Sequence, residues 1–157
     1  MPGSDLLKAC SVVKIQDDEF PDHLYYDIEN QVWYEPLGDG TIRAGFTAWA
    51  TKLMGDVLVV TPKRIGREFE TNRSFAVVEG GKWVGSARAA FEGIAVAHNE
   101  ALERTPELLN QDPFGAGWLL VVRPARDDWR DGLVTGDAIA PAFAAWFATE
   151  AYKNRAG

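Results

Sequence analysis

The sequence predicts a mainly β domain with flanking helices, and three observations carry that prediction. Its 15 Gly and 8 Pro are spread along 157 residues, which favours many short elements over a few long helices. Short runs rich in Val, Ile and aromatic residues recur from Leu24 to Val122, separated by turn residues. The pattern turns helical after Pro124. The predicted organisation is an N-terminal extension over 1–23, a β-rich domain over 24–124 and a helical attachment over 125–157.

In the first segment, Ser4 is placed to cap a short helix through Cys10, and Gln16-Asp17-Asp18-Glu19 reads as a solvated acidic loop. Leu24–Ile28 and Gln31–Glu35 flank Glu29-Asn30 at hairpin spacing. Pro36 closes the second run, Gly38-Asp39-Gly40 turns the chain, and Thr41–Phe46 is the next strand. Thr47 is a good N-cap for a helix over Ala48–Met54, and Gly55 stands where a helix ends in left-handed backbone. Asp56–Val60 returns to strand, ending at Pro62. Ser74–Glu79 and Trp83–Arg88 form a hairpin around Gly80-Gly81-Lys82, and Phe91–Ala97 follows as a strand. Thr105-Pro106-Glu107-Leu108 reads as a helix start, with Thr as cap, Pro at the first position and an acid in the first turn. Asp112-Pro113-Phe114-Gly115 breaks that helix, and Gly117–Val122 is an apolar, buried strand. From Asp137 to Lys153 a helical stripe of Ala138, Ile139, Phe143, Trp146, Phe147 and Tyr152 is expected to dock on the sheet, with a partner-binding helix as the alternative.

Composition removes several function classes. Sixteen Lys+Arg against 23 Asp+Glu give a net charge of −7 and a sequence pI of about 4.8. Such a surface does not suit nucleic acid, because phosphate neutralisation needs a positive face. No apolar run reaches the ~20 residues of a membrane span, and no export signal is expected from Met1-Pro2-Gly3-Ser4-Asp5. A single cysteine, Cys10, forms no intrachain disulfide and fits a reducing, cytoplasmic setting. With His23 and His98 as the two histidines, no zinc site and no Cys/His nucleophile pair is expected.

No constellation of the chain's own groups reads as a catalytic site. Gly80-Gly81-Lys82 lacks both the earlier glycine and the following Ser/Thr of a phosphate-binding loop. The unusual stretch is Val78-Glu79-Gly80-Gly81-Lys82-Trp83-Val84-Gly85, a lysine at the tip of a tight hairpin. Taken alone it is either an ordinary solvated turn or an attachment point, with an amine open to a modifying enzyme on a stem fixed by the sheet.

Several stretches, in order, resemble one family. They are Gly38-Asp39-Gly40-Thr41-Ile42-Arg43-Ala44-Gly45-Phe46-Thr47, Leu53-Met54-Gly55-Asp56-Val57-Leu58-Val59-Val60 and Phe75–Glu79 leading into the lysine turn. Asn99-Glu100-Ala101-Leu102, Thr105–Asn110 and Asp112-Pro113-Phe114-Gly115-Ala116-Gly117-Trp118-Leu119 follow, the last being the most specific. From about Leu24 to Pro124 the chain resembles the lipoyl-carrying H protein of the glycine cleavage system. The resemblance implies a barrel-sandwich hybrid of two small antiparallel sheets. It also implies a carrier rather than an enzyme, with lipoate attached covalently to Lys82. The lysine's flanks depart from the family's usual ones: Gly80-Gly81 stand before it and Trp83 after it. A Gly-Lys-Trp-Val-Gly turn is similar to the H-like lipoate-binding proteins of bacterial sulfur oxidation.

The expectation drawn from this is a swinging lipoyllysine arm that carries sulfur intermediates to or from a heterodisulfide-reductase-like complex. A lipoate ligase or lipoyl transferase would load it. The alternative is an H protein carrying the aminomethyl group among glycine decarboxylase, aminomethyltransferase and dihydrolipoamide dehydrogenase. A second alternative is an unmodified interaction module on the same fold. Lipoate would supply a reversible dithiol/disulfide couple. Burying its methylenes against the surface gains about 0.8 kcal/mol each, while freezing torsions costs roughly 1–2 kcal/mol for a side chain as long as lysine and more for the extended arm. These opposing terms are comparable, which suits a mobile arm. Around Lys82, Gly80 and Gly81 are assigned to turn geometry. Trp83 is either an apolar platform for the arm or an anchor on the core. Glu79 either marks the turn for the loading enzyme or solvates the strand end. The acidic surface predicts brief, salt-sensitive docking on basic partner faces.

Overall fold

The computed structural model describes residues 11–149. Ser4 and the expected helix through Cys10 lie outside the described residues, as do Tyr152 and Lys153. Two sheets face each other across the main core. The larger contains β3 (Tyr25–Asp27), β4 (Val32–Pro36), β5 (Ile42–Phe46), β11 (Leu120–Pro124), β10 (Gly93–His98) and β7 (Glu68–Phe69), in that spatial order. The smaller contains β6 (Val57–Pro62), β8 (Ser74–Gly80) and β9 (Val84–Arg88), with β8 in the middle. All pairings are antiparallel. Phe46, Phe75, Val78, Leu119, Leu120 and Val122 are among the side chains buried between the sheets.

Helix α1 (Ala48–Met54) starts and stops as its residues demand. The Thr47 hydroxyl accepts from the Ala50 N–H at 3.3 Å, and Gly55 ends the helix at φ +73°. The expected hairpins over 24–35 and 74–88 are present, with Tyr26 opposite Trp33 and Glu79 opposite Val84.

Two local expectations change here. The acidic loop is instead part of a separate hairpin, β1 (Val12–Ile15) with β2 (Asp18–Pro21). Gln16-Asp17 make its turn, Gln16 taking φ +57°, while Asp18 and Glu19 lie on β2 opposite Ile15 and Lys14. Fully buried Phe20 anchors the hairpin, and Asp18 pairs with Lys52 at 2.8 Å. Thr105 does not open a helix; it closes α2 (Ala101–Arg104). The Asn99 side chain accepts from the Ala101 N–H, starting that turn early, and Pro106 has no N–H to continue it. The next helix, α3 (Leu108–Gln111), begins after Glu107, whose side chain makes no capping hydrogen bond.

At the C-terminus, Gly136–Ala138 is a 3₁₀ turn and α4 spans Ile139–Ala148. Ile139, Phe143 and Trp146 are buried and Phe147 half-buried, but Ala138 is exposed because it precedes the helix. This stripe joins Ile15, Phe20, Leu24, Tyr26 and Trp33 in a second core. Strand β4 is therefore buried on both faces: Val32 and Tyr34 point into the first core and Trp33 into the second. Gly45, opposite Trp33, leaves room for the indole, since a Cβ there would lie 2.7 Å from the ring. The indole N–H donates to the carbonyls of Phe46 and Pro113 at 3.0 and 2.9 Å. No helix among the described residues is long and apolar enough to cross a membrane.

Candidate functional site

The β8–β9 hairpin turns through Gly81, Lys82 and Trp83, and its N–H groups have definite partners. Gly80 N–H donates to the Trp83 carbonyl at 3.0 Å and closes the hairpin. Gly81 N–H donates to the Asp56 carbonyl at 2.9 Å, and Lys82 N–H donates to the Met54 carbonyl at 2.9 Å. The tip of one hairpin is thus pinned to the corner between α1 and β6. That corner is Gly55, whose positive φ turns the carbonyls of Met54 and Asp56 toward the lysine turn.

The stem of Lys82 crosses Gly55. A Cβ on that glycine would lie 3.0 Å from Cγ and 3.3 Å from Cδ of Lys82. Lys82 itself is exposed, and no ion pair holds its amine among the described residues. The backbone is fixed while the amine remains open to solvent, which is what an attachment lysine requires. Exposed Leu58 and Val84 lie on the adjoining strands, so apolar surface adjoins the turn. The residues present therefore fit a long, largely apolar group on this amine.

The neighbours divide by task. Gly80 is not at positive φ, so its turn-geometry assignment is corrected: the glycine is needed for close approach. A Cβ there would lie 2.3 Å from the Met54 carbonyl oxygen. Gly81 also lacks positive φ, and its nearest neighbour would be the Asp56 oxygen at 3.9 Å, so neither constraint requires glycine there. Trp83 is half-buried and packs against the main core, its ring and the Met54 methyl lying over Gly85. Glu79 is exposed on the outward face between Val59 and Val84.

Met54, Gly55, Asp56 and Asn110 complete the site, and sequence reasoning did not connect them to Lys82. Asn110, on α3, donates from Nδ2 to the Gly55 carbonyl and accepts at Oδ1 from the Val57 N–H, both at 2.9 Å. Both segments carried the family resemblance, but nothing in linear sequence shows that they meet. The Asp112–Leu119 stretch supports them. Gly115 and Gly117 N–H groups donate to the Asp112 carbonyl, and Asn99 Nδ2 donates to the carbonyls of Ala116 and Trp118.

His23 lies 3.3 Å from a Glu35 carboxylate oxygen at the surface, and His98 ends β10. No group of His, Cys, Asp and Glu suited to a metal exists among the described residues, and Cys10 lies outside them. An open groove of about 1010 Å³ occupies the opposite end of the hairpin, beside Ser74 and Arg88, and Lys82 does not line it.

Comparison with known proteins gives the same picture. The family model "Glycine cleavage H-protein" matches residues 24–144. Glycine cleavage system H protein 2 of Aquifex aeolicus (strain VF5) is 40% identical over 119 residues, covering 74% of this chain and 73% of that protein. H protein 5 of the same organism is 38% identical over 110 residues, covering 68% and 74%. The crystal structure of a glycine cleavage system H protein from Mycobacterium marinum superposes with a TM-score of 0.68 at 28% identity, covering 78% of this chain and 98% of that one. The fold is the barrel-sandwich arrangement of that group. Glycine cleavage H proteins carry lipoate covalently on a lysine and are carriers rather than enzymes. Their partners are glycine decarboxylase, aminomethyltransferase and lipoamide dehydrogenase. These names favour glycine cleavage over the sulfur-oxidation branch expected from the lysine's flanks. Sequence match and shared architecture agree that this chain belongs to the glycine cleavage H-protein family.

Proposed function

We propose that this protein carries lipoate on Lys82 and serves as the H-protein carrier of a glycine cleavage system, moving the aminomethyl group between partner enzymes. The observation that supports this is the lysine turn itself: Gly81 and Lys82 N–H groups are bonded to Asp56 and Met54 while the Lys82 side chain is exposed. When attached, lipoate supplies a dithiol/disulfide couple at the end of a long arm.

The chain's own residues set where the arm begins. The backbone bonds fix the Lys82 Cα, and Gly55 gives the stem a bare surface to cross. Leu58 and Val84 offer apolar contact that a partner's channel can outcompete, since the gain of about 0.8 kcal/mol per buried CH2 is small. The acidic surface hastens encounter with basic faces of partners without requiring tight binding.

Intact-mass and peptide analysis of protein made in its own host tests the proposal. One lipoyl addition on Lys82, lost in K82R, is the expected result; an unmodified Lys82 in otherwise functional protein refutes it. Mixed with the other glycine cleavage components, the loaded protein is expected to restore glycine decarboxylation, and inactive loaded protein refutes the partner assignment. A second reading keeps the carrier and changes the partner to a sulfur-oxidising, heterodisulfide-reductase-like complex. It is favoured by the Gly81-Lys82-Trp83 flanks and by the occurrence of separately numbered H proteins in one organism among the relatives. Co-purification of that complex, with no response in the glycine assay, identifies this second role.

A further inference from the structure

We infer that Asn110 is the positioning residue of the lysine turn, acting through Gly55 from 28 residues beyond Lys82 in sequence. In its importance for carrier loading the inference rests on the proposed attachment at Lys82; its structural part does not.

The argument follows the hydrogen bonds. Of the turn's own side chains Trp83 alone packs on the main core; Gly80 and Gly81 have none, and Lys82 is exposed. Its position relative to the body is set by Met54 O and Asp56 O, which receive the N–H groups of Lys82 and Gly81. Those carbonyls flank Gly55, which takes positive φ and has no side chain to resist rotation. Left alone, such a corner has several backbone conformations within reach. The Asn110 carboxamide restricts them by using both of its ends, Nδ2 on Gly55 O and Oδ1 on Val57 N–H, at 2.9 Å each. A carboxamide spanning two residues fixes the intervening Asp56 peptide, whose carbonyl is the acceptor for Gly81.

Asn110 is itself held firmly. The preceding Leu109 is fully buried, and the Leu108 carbonyl at the start of α3 receives the Asp112 N–H. A Cβ on Gly117 would lie 2.6 Å from the same Leu108 carbonyl, so the returning chain presses closely on the helix. The segment after α3 thus supports the asparagine, the asparagine supports the Gly55 corner, and the corner supports the lysine turn. Asn is specifically required. Asp offers acceptors where Gly55 O needs a donor, Ala offers neither group, and Gln moves the carboxamide outward by one methylene.

Amide hydrogen exchange and loading kinetics on the full-length chain test this. In the native protein the Val57, Gly81 and Lys82 amides are expected to exchange together from one local opening. Free-peptide exchange at Gly81 and Lys82 with Val57 protected overturns the inference without any variant. In N110A, exchange at those three amides is expected to rise about tenfold or more while Val78 and Val122 are unchanged. N110D keeps an acceptor for Val57 and loses the donor to Gly55, so Gly81 and Lys82 loosen more than Val57. Unchanged turn amides in both variants, or an equal rise at Val78 and Val122, overturns the inference. With a lipoate ligase, lipoate and ATP, folded N110A is expected to show a severalfold higher KM for the carrier at nearly unchanged kcat, because the amine's chemistry is untouched and its presentation is not. A fall in kcat alone overturns the positioning role. The amide measurements need no lipoate, so they fail or succeed independently of the attachment proposal. Lipoylated Lys82 with turn amides indifferent to Asn110 sinks the relay alone.

Discussion

The lysine turn and the aromatic cluster beneath α4 are held by different forces. At the turn, backbone N–H groups meet backbone carbonyls, and Asn110 is the side chain that braces them. In the cluster, Phe20, Tyr26, Phe114 and Phe143 meet ring against ring, with centroids 4.9–6.5 Å apart. A backbone-held site tolerates sequence change as long as the peptide path is kept. A side-chain-held site does not, because each lost ring leaves a void. This explains how residues flanking Lys82 depart from the family's usual ones while the turn keeps its backbone bonds to Met54 and Asp56.

The largest effect expected from this contrast is in the cluster. F143A is expected to cost about 3–5 kcal/mol in urea unfolding, yet leave loading of Lys82 unchanged wherever the variant is folded. Slower loading of folded F143A breaks the claim that the two regions are independent. At the turn, G80A forces a methyl to 2.3 Å from the Met54 carbonyl oxygen and is expected to cost about 1–3 kcal/mol. It also moves the lysine, so loading slows in folded protein; normal loading shows that the close approach does not set the turn.

Y34F probes the shared wall between the cores. Tyr34 Oη accepts from the Ala90 N–H at 3.0 Å, and losing that acceptor is expected to cost about 1–3 kcal/mol. The same residue gives a pH test. Burial pushes the Tyr34 and Tyr26 hydroxyls well above the ordinary tyrosine value, with Asp27 and Asp22 adding to the rise. Their contribution is fully present below about pH 10, where unfolded tyrosine ionises. It is lost as pH rises beyond that value, because the unfolded chain then binds fewer protons than the folded one. Alkaline unfolding of Y34F should therefore show a shallower loss than wild type, and identical slopes refute the assignment. The smallest effect is at Gly81. G81A meets its nearest atom at 3.9 Å, so stability within about 0.5 kcal/mol of wild type and unchanged loading are expected. A large loss there shows that the turn needs glycine for a reason other than space.

Local chemistry made much of this legible. Thr47 and Gly55 bracket α1, and the Gly80-Gly81-Lys82 turn joins its two strands, because caps and hairpins are decided by residues within a few positions of each other. Non-local contacts were not legible. Asn110 finds Gly55 across 55 residues, and Trp33 finds Pro113 across 80. The β1–β2 hairpin was hidden by Gln16–Glu19, whose polarity suggests a loop until Phe20 and Ile15 are seen entering the second core. Thr105-Pro106 has the right residues to begin a helix, but the Asn99 side chain starts the turn earlier. At the lysine, the hairpin was readable and its pinning was not, since the carbonyls of Met54 and Asp56 leave no residue-type signal.

Strand β11 sits in the interior of the larger sheet, between β5 and β10. Among the described residues it is also the last strand to leave the ribosome, so the growing chain carries a sheet with a missing middle until Pro124 has emerged. The lysine hairpin is synthesised earlier, before either its brace or that central strand exists. A newly made chain therefore exposes the Lys82 amine before Asn110 can bond the Gly55 corner beneath it.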